Sequence, residues 1–413
     1  MRHKIGILFS ALQILCTQAN TMRSDADYTA KIAPKVMIVN FFSSESNTWQ
    51  ERLPSSGLGN LTFHTIPLPG LSPLFPALHC TPAHTICQLV TGEAEINAAA
   101  SLTALTLAPA LDLRATYFLT AGIAGVSPRL GTLGSVALAR FAVQVALQYE
   151  IDPRELGYGD GAGTGTGYLP FGTYDAAELP SDAYGTEVME VSAALRDIAL
   201  GFAARATLHD SAVLRALRQP YLRGPDGDGD EGDYVDPEAG TYAAAGAAPG
   251  VLRCDVATSD VYFSGVRLAE GFADTVRIWT GQEDGAASTY CMTAQEDNAV
   301  LEALLRAAGW GIVDFGRVMV LRSGSDFDRP APGKSALENL RGADSSGFDA
   351  ALENMYLAGV EIVRGILDGW DERFEAGIDP TGYVGDVFGS LGGEPDFGNF
   401  SMFNGTGAWG SCA

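Results

Sequence analysis

Positive charge is what this chain most lacks. Its 413 residues carry 26 lysines and arginines against 50 aspartates and glutamates, a formal net charge of −24. Nucleic acids and anionic membranes bind through clustered cations, so neither is expected as a partner. Long apolar runs are scarce as well. Beyond the N-terminus no stretch reaches the ~18 uninterrupted apolar residues of a spanning helix, so nothing reads as a membrane span or a multi-span transporter. Histidine is rare, with 5 copies. None of the Cys–His spacings matches a zinc site, so no metal is expected, nor any cofactor. His64, His79 and His84 fall in predicted loops without a visible partner and are read as structural.

What remains is 46% hydrophobic and 18% charged, ample for one large α/β domain or two smaller ones. The N-terminus reads as a secretory signal. Arg2, His3 and Lys4 form a basic start, Ile5 to Cys16 an apolar stretch, and Thr17-Gln18-Ala19 a cleavage-compatible end. The expected location is therefore the secretory pathway, outside the cell, at its surface or in a lumen. Removing residues 1–19 takes Arg2 and Lys4 away, so −24 becomes −26. Asn60, Asn399 and Asn404 each open an Asn-X-Ser/Thr triplet, which fits an exported glycoprotein. Five cysteines remain, and two disulfides plus one free thiol are expected in an oxidising compartment. Cys80–Cys87 is a candidate by spacing and Cys254–Cys291 by topology.

Residues 20–33 are polar and expected to be disordered, and one domain spans 34–413, with loop insertions near 155–180 and 220–250. Lys35 to Val39 reads as a buried first strand, followed by a helical stretch around Trp49. Residues 54–76 read as loop and hairpin. Cys87 to Val90 is a strand, and Glu93 to Leu107 a helix with acids in its first turn. Tyr117 to Thr120 is a strand running into the glycine loop Ala121 to Gly125. Ser135 to Leu138 and Ala142 to Tyr149 read as strands, residues 187–219 as helical. The glycine-rich stretch 159–167 follows no strand and opens no helix, so it reads as a flexible insertion. The acidic tract 224–240 has calcium-loop spacing at Asp226, Asp228 and Asp230, but Pro237 stands where the loop needs a glutamate; it reads as a solvated loop. Val256 to Phe263 is strand and loop, Ala287 to Met292 a strand, Glu296 to Ala308 a helix, and Phe348 to Phe374 a long helix. The alternation implies an α/β fold: a three-layer α/β/α sandwich with a central mixed sheet.

Three acids stand where predicted strands end: Glu45, Glu296 and Asp326. Asp326 is delivered by the apolar run Val318 to Leu321 and then Ser323-Gly-Ser325, which reads as the strand's end. A carboxylate at that tip is either a general acid or a helix N-cap. Three such acids meeting at one sheet edge would form an acid/base constellation.

With these acids in view, the chain resembles the purine nucleoside permease family, within the nucleoside phosphorylase and nucleosidase superfamily. The resemblance is carried by Leu78-His-Cys-Thr with Cys87 to Ala98, Phe118 to Val126, Thr258 to Phe263, Met292 to Asn298, and Arg322 to Asp326. It implies a nucleoside phosphorylase-like fold and a purine nucleoside site. On that resemblance Asp326 matches the acid that protonates the purine N7. Glu296 matches the carboxylate on the ribose hydroxyls, with Gln295 beside it in place of the usual Met. Tyr262 and Phe263 match the pair that stacks on and backs the base, and Gly122 belongs to the substrate-binding glycine segment. Glu45 matches the carboxylate that activates water in the methylthioadenosine/adenosylhomocysteine nucleosidases. Homo-oligomers completing the site are a further implication.

The residue types suit the chemistry. Breaking an N-glycosidic bond builds positive charge on the sugar, and the base leaves as a poor anion unless protonated. Related phosphorylases hold phosphate with an Arg and a Ser, where this sequence has Thr120 and Ile123. The helix start after Gly92 carries Glu93 and Glu95, which repel an anion. Hydrolysis of purine ribonucleosides is therefore the expected reaction. A phosphorylase, and a nucleoside uptake component or binding protein, are the alternatives.

Overall fold

The computed structural model describes residues 31–155, 166–176, 178–222, 239–280, 290–342 and 347–395. The expected signal peptide, most of the disordered linker, the glycine-rich stretch up to 165 and the calcium-spaced aspartates lie outside the described residues, as do Asn399, Asn404 and Cys412. The described residues from Ala33 onward form one compact unit.

The sheet is built from apolar runs that need burial on both faces. In chain order the elements run β1 (Val36–Asn40), α1 (Ser43–Arg52), β2 (His64–Pro67), β3 (Ala77–Cys80), β4 (Ile86–Val90), α2 (Glu95–Thr106) and β5 (Tyr117–Val126). Then follow β6 (Val136–Ala139), β7 (Phe141–Gln144), β8 (Val188–Glu190), α3 (Ala193–Ala203), α4 (Ala212–Arg218), β9 (Val251–Arg253) and β10 (Asp255–Thr258). The chain closes with α5 (Val266–Thr280), β11 (Tyr290–Ala294), α6 (Asp297–Gly309), β12 (Val318–Phe327), α7 (Ala336–Gly342), α8 (Phe348–Asp368) and β13 (Gly385–Asp386).

These strands make one mixed sheet, in which β4, β1, β5 and β12 are parallel neighbours and β6 runs antiparallel to β12. Helices α1, α3 and α8 pack over β1, β5, β6 and β12, with Trp49, Leu195, Met355 and Ile362 buried among Ile38, Leu119 and Leu321. On a second core, Phe272, Val276 and Trp279 of α5 cover Val143 and Ala257. Helix α6 packs on α2 and on β7 and β10. The result is an α/β/α sandwich with a mixed central sheet.

Several local expectations change. The stretch Ala121 to Gly125 is not a loop: β5 continues through it to Val126, paired with β12 from Val318 to Phe327. Its glycines serve a close approach rather than a turn. A Cβ on Gly122 would lie 2.5 Å from the Arg322 Nη1 atom, and one on Gly125 would lie 2.8 Å from the Thr293 hydroxyl oxygen. Likewise Ser323-Gly-Ser325 does not end a strand, because β12 runs on past it. Residues 187–219 are not continuously helical, since the buried Val188–Glu190 pairs antiparallel with β7 before α3 begins. The strand at Ala142 stops at Gln144, whose Oε1 accepts the amides of Ala146 and Leu147 and turns the chain. Cys80 pairs with Cys87 and Cys254 with Cys291, tying β3 to β4 and the start of β10 to β11.

Candidate active site

The parallel strands β1, β5 and β12 carry their C-terminal ends to one edge of the sheet, where ligands bind in open α/β folds, and β11, antiparallel to β5, brings Thr293 and Ala294 in beside them. A cavity of about 310 Å³ opens there, within the size range of small-molecule sites. Glu45, Glu296, Asp326, Gln295, Tyr262 and Phe263 all line it. Gly122 does not. Its bare Cα lies behind the wall, where a side chain would collide with Arg322, Glu45 and Phe41.

Arg322 organises the floor. It is buried in β12, and a buried guanidinium needs anionic partners. Its Nε donates to both oxygens of Asp297, at 3.2 and 3.1 Å, and its Nη2 donates to Asp297 at 2.6 Å and to Glu296 at 3.0 Å. Nη1 donates to the carbonyl of Ile123 at 3.1 Å, and the Phe41 ring lies 4.3 Å from the guanidinium carbon. Burial works against the charge, but Asp297 and Glu296 more than offset it and hold Arg322 firmly protonated.

Glu45 stands in the first turn of α1, almost fully buried. One of its oxygens accepts the amide of Phe41 at 2.7 Å and the other the amide of Ile123 at 2.8 Å. Burial pushes its carboxyl up to about 8, against the opposing pull of Arg322 and the two amides. Glu296 precedes α6 and is likewise raised, first by burial, with Arg322 and the Ala94 amide pulling the other way.

Asp326 sits where β12 bulges opposite Gly125. Its Oδ2 accepts the Tyr262 hydroxyl at 2.8 Å and its Oδ1 the Ser325 hydroxyl at 2.9 Å. The next helix, α7, begins only at Ala336, so Asp326 is not a helix cap. Phe263 packs edge-on against Phe272, ring centroids 4.7 Å apart, which anchors the loop carrying both aromatics.

The start of α2 meets the site from the other side. Glu296 accepts the Ala94 amide at 3.1 Å, and Asp260 accepts the Glu95 amide at 2.8 Å. Gln295 donates to the Asp260 carbonyl at 3.1 Å and so braces the same loop. Ala94 holds φ 73 and ψ 164, a region that glycine enters freely and alanine enters under strain. Replacing it by glycine is expected to raise unfolding free energy by about 1 kcal/mol, the strain relieved less the added unfolded-state entropy. Urea denaturation of Ala94→Gly measures this, and a loss of stability would contradict the strain.

A family profile described as "Purine nucleoside permease (NUP)" matches residues 33–379. The chain belongs to the purine nucleoside permease family. A purine nucleoside permease of Candida albicans is 41% identical over 375 residues, covering 89% of this chain and 84% of the relative. A probable purine nucleoside permease of Schizosaccharomyces pombe is 36% identical over 341 residues, covering 82% and 90%. Similar solved structures include the 5′-methylthioadenosine/S-adenosylhomocysteine nucleosidase of Neisseria meningitidis, at 13% identity and TM-score 0.43, covering 81% of this chain and 99% of that one. Another is the futalosine hydrolase of Helicobacter pylori, at 15% identity and TM-score 0.41, covering 81% and 97%.

In this member of the family, no helix among the described residues is long and apolar enough to cross a membrane. Among the same residues no group of three or more His, Cys, Asp or Glu is placed to hold a metal ion. Several site residues are invisible to sequence reasoning about acids alone. Asp297 reads as an ordinary first-turn acid, yet it is fully buried on Arg322. Asp260 reads as a loop acid, yet it accepts the first amide of α2. Arg322 did carry a signal: an arginine directly after an apolar strand run must find carboxylates.

Proposed function

We propose that this chain binds purine ribonucleosides and hydrolyses their N-glycosidic bond to base and ribose. The observation that carries the reading is the placing of Glu45, Glu296 and Asp326 on one cavity beside Tyr262 and Phe263. The base lies on the aromatic pair with N7 toward Asp326, and the ribose hydroxyls bond Glu296. Asp326 gives a proton to N7 as the C1′–N9 bond breaks, its electron pair leaving with the base. Water adds to C1′ and loses a proton to Glu45. Solvent exchange then restores both acids.

Water is favoured over phosphate by what the local donors already hold. The Ile123 amide is spent on Glu45, and Arg322 has each of its three nitrogens bonded within the protein. The amides at the start of α2 are occupied by Glu296 and Asp260. An incoming phosphate would meet carboxylates at these points. The site without turnover would suit a nucleoside receptor in uptake, a second reading favoured by the relatives' names.

Product analysis in phosphate-free buffer separates these readings. Free base and ribose in equal amounts support hydrolysis, and strict dependence on added phosphate would support a phosphorylase. Tight binding with no cleavage over hours would support the receptor. The pH profile tests Glu45. Its carboxyl is neutral below about 8 and must be ionised to take a proton from water. Thus kcat/KM is expected to climb with pH, reach half its maximum near 8 and level off above it. A profile flat across this range would remove Glu45 as the base.

A further inference from the structure

Tyr262 brings a hydroxyl to the one acid that the proposed reaction uses as a proton donor. Its ring is 50% exposed at the cavity mouth, and its hydroxyl donates to Asp326 Oδ2 at 2.8 Å. The other oxygen, Oδ1, accepts from Ser325. Behind Oδ2 stands Gly125, whose built Cβ position would lie 3.6 Å from that oxygen. The tyrosine hydroxyl therefore takes the side of Oδ2 that faces the cavity.

The loop around Tyr262 is pinned on both sides of it. Gln295 holds the Asp260 carbonyl, the Ser259 hydroxyl accepts the Val261 amide at 3.1 Å, and Asn339 donates to the Ser264 hydroxyl at 2.9 Å. A half-exposed ring on a pinned loop leaves the site by rotating its side chain, with the backbone in place.

The geometry points to Tyr262 as a built-in competitor for the purine subsite, whose hydroxyl stands in for the N7–H that the leaving base carries once Asp326 has given up its proton. An occupant that donates a hydrogen at that position replaces the bond it displaces. An analogue with carbon in place of N7 does not, and leaves Asp326 one hydrogen bond short. Once displaced, the ring becomes available to lie on the face of the base. This inference rests on the purine nucleoside reading and adds to it the way in which the site reserves its acid.

The experiment is isothermal titration of adenine and of 7-deazaadenine into the full chain and into Tyr262→Phe, which keeps the ring and removes only the hydroxyl. Adenine is expected to bind the variant about tenfold more tightly, because it no longer competes with the phenol. 7-Deazaadenine also no longer has to displace the phenol, so its affinity is expected to rise by a similar factor while staying below that of adenine in both proteins. Unchanged or weaker adenine binding in the variant would overturn the inference while leaving the nucleoside reading intact. Failure of adenine to bind either protein would overturn both.

Discussion

Asp326→Asn is expected to slow release of base from the purine nucleoside best cleaved by the wild-type chain by about a thousandfold. Cleavage of 4-nitrophenyl β-D-riboside is expected to stay within a few-fold of wild type. The two substrates differ in what the leaving group needs. A purine leaves as a poor anion and requires a proton at N7, whereas nitrophenolate departs without one. Asparagine keeps the shape of the side chain, and its carbonyl oxygen can still accept the Tyr262 hydroxyl. Loss of both activities together would mean that Asp326 holds the site in shape and does not act as the acid. Steady-state rates for the two substrates, with thermal unfolding as a check on folding, decide the matter.

Arg322→Met is expected to lower unfolding free energy by about 3–5 kcal/mol. The wild-type guanidinium is bonded to Asp297 and Glu296, and all three side chains are buried. Methionine fills much of the volume but leaves the carboxylates without a counter-ion. Arg322 also lowers the carboxyls of Glu45 and Glu296, so both rise further in its absence. The sign of the pH dependence follows. Groups whose folded pKa lies above the unfolded value contribute stability that is fully present at low pH and is lost as pH rises. The deficit of the variant should therefore be small near pH 5 and larger at pH 9, above the wild-type Glu45 value of about 8, where the variant's acids still resist ionisation in the folded chain. Urea denaturation at both pH values measures it. A deficit that does not change with pH would mean that lost packing, not unbalanced charge, is the cause.

The buried strands were legible because they are apolar runs: Val36 to Val39, Ile86 to Val90 and Val318 to Leu321 are all fully or nearly buried. The acids Glu45, Glu296 and Asp326 were legible as residues released where such runs stop. What escaped was the continuation of β5 through Gly122 and Gly125, and of β12 through Ser323-Gly-Ser325. Small residues look like loop when read along the chain. Their reason is across the sheet, where Arg322, Glu45 and Thr293 need the space that a Cβ would fill. Asp297 and Asp260 escaped for a similar cause. Each is unremarkable beside its sequence neighbours and becomes a site residue only through partners far away in the chain.

That distance has a consequence for how the protein comes into being. Glu45 takes an amide from 78 residues away, and Glu296 holds one from 202 residues away. Strand β12 carries both Arg322 and Asp326, so the acid and the counter-ion emerge together, late in synthesis. Until then Glu45 and Glu296 have no cation to face. A nascent or truncated chain that stops before Val318 lacks the proposed chemistry and also the charge that lets its acids be buried. Competence to act and competence to stay folded thus arrive on the same segment.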